Sequence, residues 1–167
     1  MNVTQAVDAY IDRELAARCN HNKGQLRTAE LELVKRLKRN IQVPPEAYLL
    51  PERIWRKFEC ISLVGIEFIT SWSVNQMSEE YCKELLSLIR HTIKKPAFPI
   101  VSIHDCFKTL PNYMNYVRQT YVDIMAELAD SRTLDAILTD IAGVPIHIPK
   151  LSSNLSDLIR KSEYLLS

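Results

Sequence analysis

Glycine is scarce, three in 167 residues. Neither G-x-x-x-x-G-K-[ST] nor G-x-G-x-x-G is present, which removes the Gly-rich phosphate loops from consideration. Cysteine is sparse too: Cys19, Cys60, Cys82 and Cys106 show no C-x-x-C spacing. That supports neither a zinc site nor a disulfide framework and fits reduced thiols in a cytosol-like compartment. No stretch approaches the ~18 apolar residues that a membrane span requires. Asp8, Asp12 and Glu14 near the start exclude a signal peptide. Excess charge of one sign is missing as well. The formal net charge is +1, so no global field demands a nucleic-acid partner. The balance is only locally uneven, with 11 Lys/Arg against 8 Asp/Glu in residues 1–60. The four histidines are scattered without H-E-x-x-H, and no G-x-S-x-G is found, so zinc hydrolysis and serine nucleophiles have no support. What remains, 47% hydrophobic and 25% charged, is the composition of one globular domain or one lobe of a larger enzyme.

Hydrophobic periodicity predicts helices over 3–19 and over a second stretch from Leu26 to Leu37, with CNHNKG (19–24) as a loop between them. The second stretch ends in KRLKRN and is broken by Pro44 and Pro45. ERIWRK follows within 46–58. Lys35, Arg36, Lys38, Arg39, Arg53, Arg56 and Lys57 are the candidate phosphate contacts; the same charges would also suit a solvated helix face. Ser78 with Glu79 and Glu80 marks the start of a helix running to about residue 94, apolar along Tyr81, Leu85, Leu88 and Ile89. Further helices are expected from after Pro111 to about 129, over 133–142 with Gly143 as its cap, and around Leu155–Ile159. His91 and His147 read as structural.

The segment PIVSIHDCFKTLP, 99–111, carries the chemistry. An apolar, buried-looking strand from Phe98 to Ile103 meets His104-Asp105, and Cys106–Leu110 can return antiparallel. Transfer of a nucleotidyl group needs carboxylates to hold Mg²⁺ ions about 4 Å apart. A carboxylate on a tight strand turn is held stiffly and suits that task, although Asp is also an ordinary turn residue. Cys106 is a poor nucleophile, because an adjacent carboxylate disfavours the thiolate.

HDCFKTLPNYMNYVRQTYVDIMAELADSRTLDAIL resembles the last catalytic motif and following helix of the single-subunit DNA-directed RNA polymerases of phages and mitochondria. The residues carrying the resemblance are His104, Asp105, Cys106, Phe107, Thr109, Arg118, Val122 and Asp123. NLSDLIRKSEYLLS (154–167) resembles that family's closing helix and tail. VGIEFITSWSVNQM resembles the element preceding its His-Asp hairpin, but Thr70, Ser73 and Gln76 stand where the family has His, Asp and His. The resemblance covers 64–167 and does not extend to 1–63. It implies Asp105 as the catalytic metal ligand, His104 as its support, and a tail of Tyr164, Leu165, Leu166 and Ser167 that folds near the nucleotide site. It also implies an α+β, mainly helical, palm-type lobe with a central antiparallel β-hairpin, preceded by an N-terminal helical region, 1–63, of unclear role.

The family's second metal-binding Asp and its Lys/Tyr helix are not found upstream. RLKRNIQVPPEAYLL contains Lys38 and Tyr48, but two prolines interrupt it. The expectation is a C-terminal subunit, inactive alone, sharing Mg²⁺ with a larger polymerase subunit that supplies the other Asp and the Lys/Tyr helix. Together they would make RNA from NTPs on a DNA template, in the cytoplasm of a phage-infected host or in an organelle-like compartment, without a membrane. The Met1 start and the native-looking end favour a separately encoded subunit over a fragment or a degenerate copy. Two alternatives stand beside it. One is a non-catalytic helical module binding nucleic acid or protein. The other is part of a family A-like DNA polymerase, whose turn reads His-Asp-Glu where this chain has Cys106.

Overall fold

The computed structural model describes residues 3–103 and 106–162. The described residues are mainly helical, with one small antiparallel sheet. The helices are α1 (Val3–Cys19), α2 (Lys23–Leu37), α3 (Leu50–Phe58), α4 (Glu79–Ile93), α5 (Met114–Asp130), α6 (Thr133–Ala142) and α7 (Leu155–Lys161). Strands β1 (Val101–Ile103) and β2 (Cys106–Lys108) lie between α4 and α5. No helix among the described residues is long and apolar enough to cross a membrane.

Local chemistry sets the helix ends. Asn22 caps α2 by accepting from the Gly24 and Gln25 amides at 2.8 and 3.2 Å. The expected loop at 19–24 is therefore shorter, because Lys23 and Gly24 already belong to the helix. Ser78 caps α4 through the Tyr81 amide, with Glu79 and Glu80 on the positive end of the helix dipole. Gly143 ends α6 at φ 69°, the left-handed conformation that a residue without Cβ adopts at little cost. Glu59 ends α3 in the same region at φ 56°, without a glycine.

Two apolar clusters organise the packing. In one, Leu26 and Leu33 of α2 meet Leu63, Val74, Met77 and the Tyr81, Leu85, Ile89 face of α4. In the other, Ile11 and Leu15 of α1 meet Phe98 and Val117 and Ile124 of α5. Burying each such side chain contributes roughly 1.5–3 kcal/mol. Residues 1–63 are built into the rest of the molecule: α1 packs on α5, α2 on α4 and α3 on α6. The Phe98 amide also donates to the Cys19 carbonyl at 3.0 Å.

The sheet departs from expectation in two ways. β1 begins at Val101, not Phe98, because the Phe98 amide is taken by Cys19 and Pro99 has no N–H to give. β2 ends at Lys108, and the Thr109 hydroxyl then donates to the Pro99 carbonyl at 2.9 Å. The hairpin is also not buried at the centre. Val101 and Ile103 are 56% and 50% exposed, because nothing among the described residues covers their face.

Candidate functional site

The strand register pairs Val101 with Lys108, Ser102 with Phe107 and Ile103 with Cys106. Directly opposed residues share a face. The Ser102–Phe107 face turns to the helices, where Phe107 packs against the α1/α5 cluster with its ring 6.2 Å from that of Tyr121. Val101, Ile103, Cys106 and Lys108 form the other, exposed face. Below the hairpin, Phe98 stacks on Tyr113 at 4.5 Å with the rings nearly parallel. The hairpin is thus pinned on its inner side to the start and middle of α5. Only positions 104 and 105 separate the paired Ile103 and Cys106 in sequence. His104 and Asp105 lie outside the described residues, as does the tail Tyr164, Leu165, Leu166 and Ser167.

Asp123, on the α5 motif that carries the resemblance, is half-buried. It accepts from Lys95 Nζ and Gln119 Nε2, each at 3.2 Å, so its carboxylate is engaged within the fold. Among the described residues no three His, Cys, Asp or Glu side chains come together as a metal site.

The cationic candidates separate into three groups. Arg36 is a correction: it is 2% exposed and is spent on the protein's own backbone, not available to phosphate. Its guanidinium donates to the carbonyls of Val74 (3.0 Å), Met77 (2.8 Å), Ile41 (3.0 Å) and Arg39 (3.2 Å). Lys35, Arg56 and Lys57 are exposed but paired. Lys35 meets Glu32 and Lys57 meets Asp140, each at 2.7 Å, and Arg56 bonds the buried Glu52 at 3.0 Å while its guanidinium lies over the Tyr48 ring. Lys38, Arg39 and Arg53 are exposed, with no acidic partner among the described residues. Surface cations of this third kind are the ones that could meet a phosphate backbone.

The segment before α4 is closed on itself. Ser73 is buried, its hydroxyl donates to the Phe68 carbonyl at 3.0 Å and accepts from the Thr70 amide at 2.8 Å. Thr70 and Ser73, two of the three positions that depart from the family pattern, thus stitch a turn that Arg36 also bonds through the Val74 and Met77 carbonyls.

A buried ionic triad escaped the sequence reading. Glu14 is fully buried and accepts from Arg18 Nε (2.8 Å), the Ser62 hydroxyl (2.6 Å) and the Leu63 amide (3.0 Å). Arg18 places its other two nitrogens on Glu127 of α5 at 2.8 and 2.6 Å, a bidentate pair. Burial pulls the Arg18 pKa down, but the bonds and charge of Glu127 and Glu14 outweigh it and the net shift is upward. The signal available was the i, i+4 spacing of Glu14 and Arg18 on an otherwise apolar helix face. The triad fastens α1 to α5, the helix on which the hairpin stands. His147 bonds Asp135 at 2.8 Å. Asp135 also accepts from the Ile148 amide, and these bonds hold its carboxyl below the usual range. All four cysteines are free, with burial pushing Cys19 and Cys82 up to about 11.

No protein-family model matches the chain, and no curated protein matches it.

Proposed function

We propose that this chain is the C-terminal, palm-type part of a DNA-directed RNA polymerase, active only with a larger partner. The observation that carries the reading is the hairpin. Ile103 and Cys106 are paired with only His104-Asp105 between them in sequence, on a sheet pinned inside to α5 and bare outside. A two-stranded sheet is marginal alone and needs a further strand or packing against a helix, which α5 supplies on the inner face only. The bare apolar outer face is surface of the kind that marks an interaction site. The exposed Val101 and Ile103 therefore support a chain whose sheet is completed by another. In this reading Asp105, with a carboxylate of the partner, would hold Mg²⁺, which would supply electrostatic stabilisation for phosphoryl transfer. His104 orients Asp105, and α5, held by the Arg18–Glu127 pair, keeps the hairpin in place. Of the seven candidate cations, Lys38, Arg39 and Arg53 are the ones left to approach nucleic acid.

The test is reconstitution. The chain is co-expressed with the products of its neighbouring reading frames, and primer extension is assayed on a DNA template with NTPs and Mg²⁺. The chain alone makes no RNA, the complex does, and Ile103→Lys on the bare face removes the complex without unfolding the chain. If Ile103→Lys leaves assembly and synthesis untouched, the bare face is not where the partner sits. Failure of every combination to make RNA, with nucleic-acid binding that depends on Lys38, Arg39 and Arg53, assigns the chain to the non-catalytic binding class.

A further inference from the structure

A second concavity lies away from the hairpin, between α1, α3 and α6. It encloses about 460 Å³, within the 300–1,000 Å³ or so typical of small-molecule pockets. Its walls are apolar: Ala6, Val7, Leu50, Ile54, Ile137 and Ile141. Leu50 and Ile141 are 61% and 59% exposed, an open mouth of bare aliphatic surface.

Most polar groups lining the cavity are already engaged. The Ser62 hydroxyl donates to Glu14 at 2.6 Å, the Thr133 hydroxyl accepts from Ser131 at 2.8 Å, and Asp140 is paired with Lys57 at 2.7 Å. Two polar side chains differ. Arg13 is exposed and gives Nε to the Ala9 carbonyl at 2.9 Å, and no carboxylate among the described residues pairs with its guanidinium. Tyr10 lines the cavity with its hydroxyl buried and without a partner among the described residues. Burial, and then the charge of Glu14, raise the Tyr10 pKa, so the phenol keeps its proton and remains a donor.

The lining therefore offers aliphatic walls, one uncommitted positive charge and one uncommitted neutral donor. We infer that the α1/α3/α6 cavity binds an anionic amphiphile, its aliphatic tail on the Ile54–Ile137 walls and its carboxylate on Arg13. Charge complementarity selects the anion: Asp140 is neutralised by Lys57, which leaves Arg13 as the unpaired charge of the lining. The enclosed volume and the few donors select a small molecule over a protein segment. The inference is independent of the polymerase reading.

Calorimetric titration of the full chain with dodecanoate and with dodecanol, each below its micelle-forming concentration, tests it. Dodecanoate is expected to bind saturably at one site. Arg13→Gln weakens dodecanoate about tenfold, the scale of one charge-assisted contact, and leaves dodecanol unchanged. Ala6→Trp, and independently Ile54→Phe, fill the cavity and abolish binding of both while the helical circular dichroism stays native. Three results overturn the inference. These are no saturable binding, equal weakening of both probes by Arg13→Gln (apolar adsorption only), or a concentration-dependent dimer that Ala6→Trp abolishes, which would give the cavity to a second copy of the chain.

Discussion

Arg36 offers the sharpest test of the physical account, because its sequence context and its environment point in opposite directions. It sits in the basic run KRLKRN, yet its guanidinium is buried and bonded to four backbone carbonyls, with no carboxylate among the described residues bonded to it. Arg36→Met keeps the aliphatic stem and removes the donors. The Arg39 and Ile41 carbonyls are partly exposed and regain water. The Val74 and Met77 carbonyls are buried and do not; Val74 keeps the Met77 amide at 3.3 Å, which leaves the Met77 carbonyl without a partner among the described residues. A buried acceptor left unpaired costs about 1–3 kcal/mol. At about 2–4 °C per kcal/mol for a chain of this size, the middle of that range lowers Tm by about 4–8 °C. Lys38→Met, two residues on and exposed, should stay within about 0.5 kcal/mol of wild type. Urea unfolding monitored by far-UV circular dichroism measures both variants. If Arg36→Met is as benign as Lys38→Met, the carbonyl network is not what holds the turn before α4. A selective loss of nucleic-acid affinity in a stable Arg36→Met protein would return Arg36 to the phosphate-binding group.

Two further predictions concern buried groups. Glu14→Gln replaces a buried carboxylate that faces only donors with an amide that must turn an N–H₂ toward one of them. It should destabilise by about 3–5 kcal/mol, as breaking a buried ion pair does, and a urea-midpoint change under 1 kcal/mol would contradict it. His21 is 93% buried, its Nδ1–H donates to the Arg18 carbonyl at 2.9 Å, and its Nε2 is buried without a partner. Burial therefore depresses its pKa below 6.5. Below 6.5 the unfolded chain takes up the proton and the folded chain resists it, so this contribution to stability is full above 6.5 and falls as pH drops through that value. Stability measured from about pH 7.5 to pH 5 should decline in wild type and decline less in His21→Phe; equal slopes would refute the assignment.

The helices were legible in the sequence because their apolar residues recur at three and four. The spacing of Val3 to Leu15 predicts a helix over 3–19, and α1 spans Val3–Cys19. Ser78 and Gly143 announced the start of α4 and the end of α6 through their own chemistry. Other boundaries depended on partners far along the chain. The late start of β1 follows from a bond between Phe98 and Cys19, 79 positions apart. Glu59 ends α3 in the left-handed region with no glycine to signal it. Charge was the least legible feature. Arg36 and Lys38 look alike in KRLKRN, and only the carbonyls of Val74 and Met77, brought in by the turn before α4, distinguish a structural cation from a solvated one. Glu14 and Arg18 stand at the i, i+4 spacing of any helix ion pair, and only Glu127, far along the chain on α5, makes them part of a triad. For the candidate site, the antiparallel pairing of Ile103 with Cys106 follows the sequence reading. The exposure of Val101 and Ile103 does not, because an apolar run does not reveal which of its faces the chain itself covers.

The measurement that bears most directly on the central claim is primer extension by the reconstituted complex carrying Asp105→Asn, beside wild type at equal occupancy of the chain. An amide keeps the size of the side chain and removes the charge that binds Mg²⁺. If Asp105 is a catalytic metal ligand, RNA synthesis falls by about 10³-fold or more while assembly of the complex is unchanged. Synthesis at the wild-type rate by the Asp105→Asn complex would contradict the account and leave the hairpin a structural element.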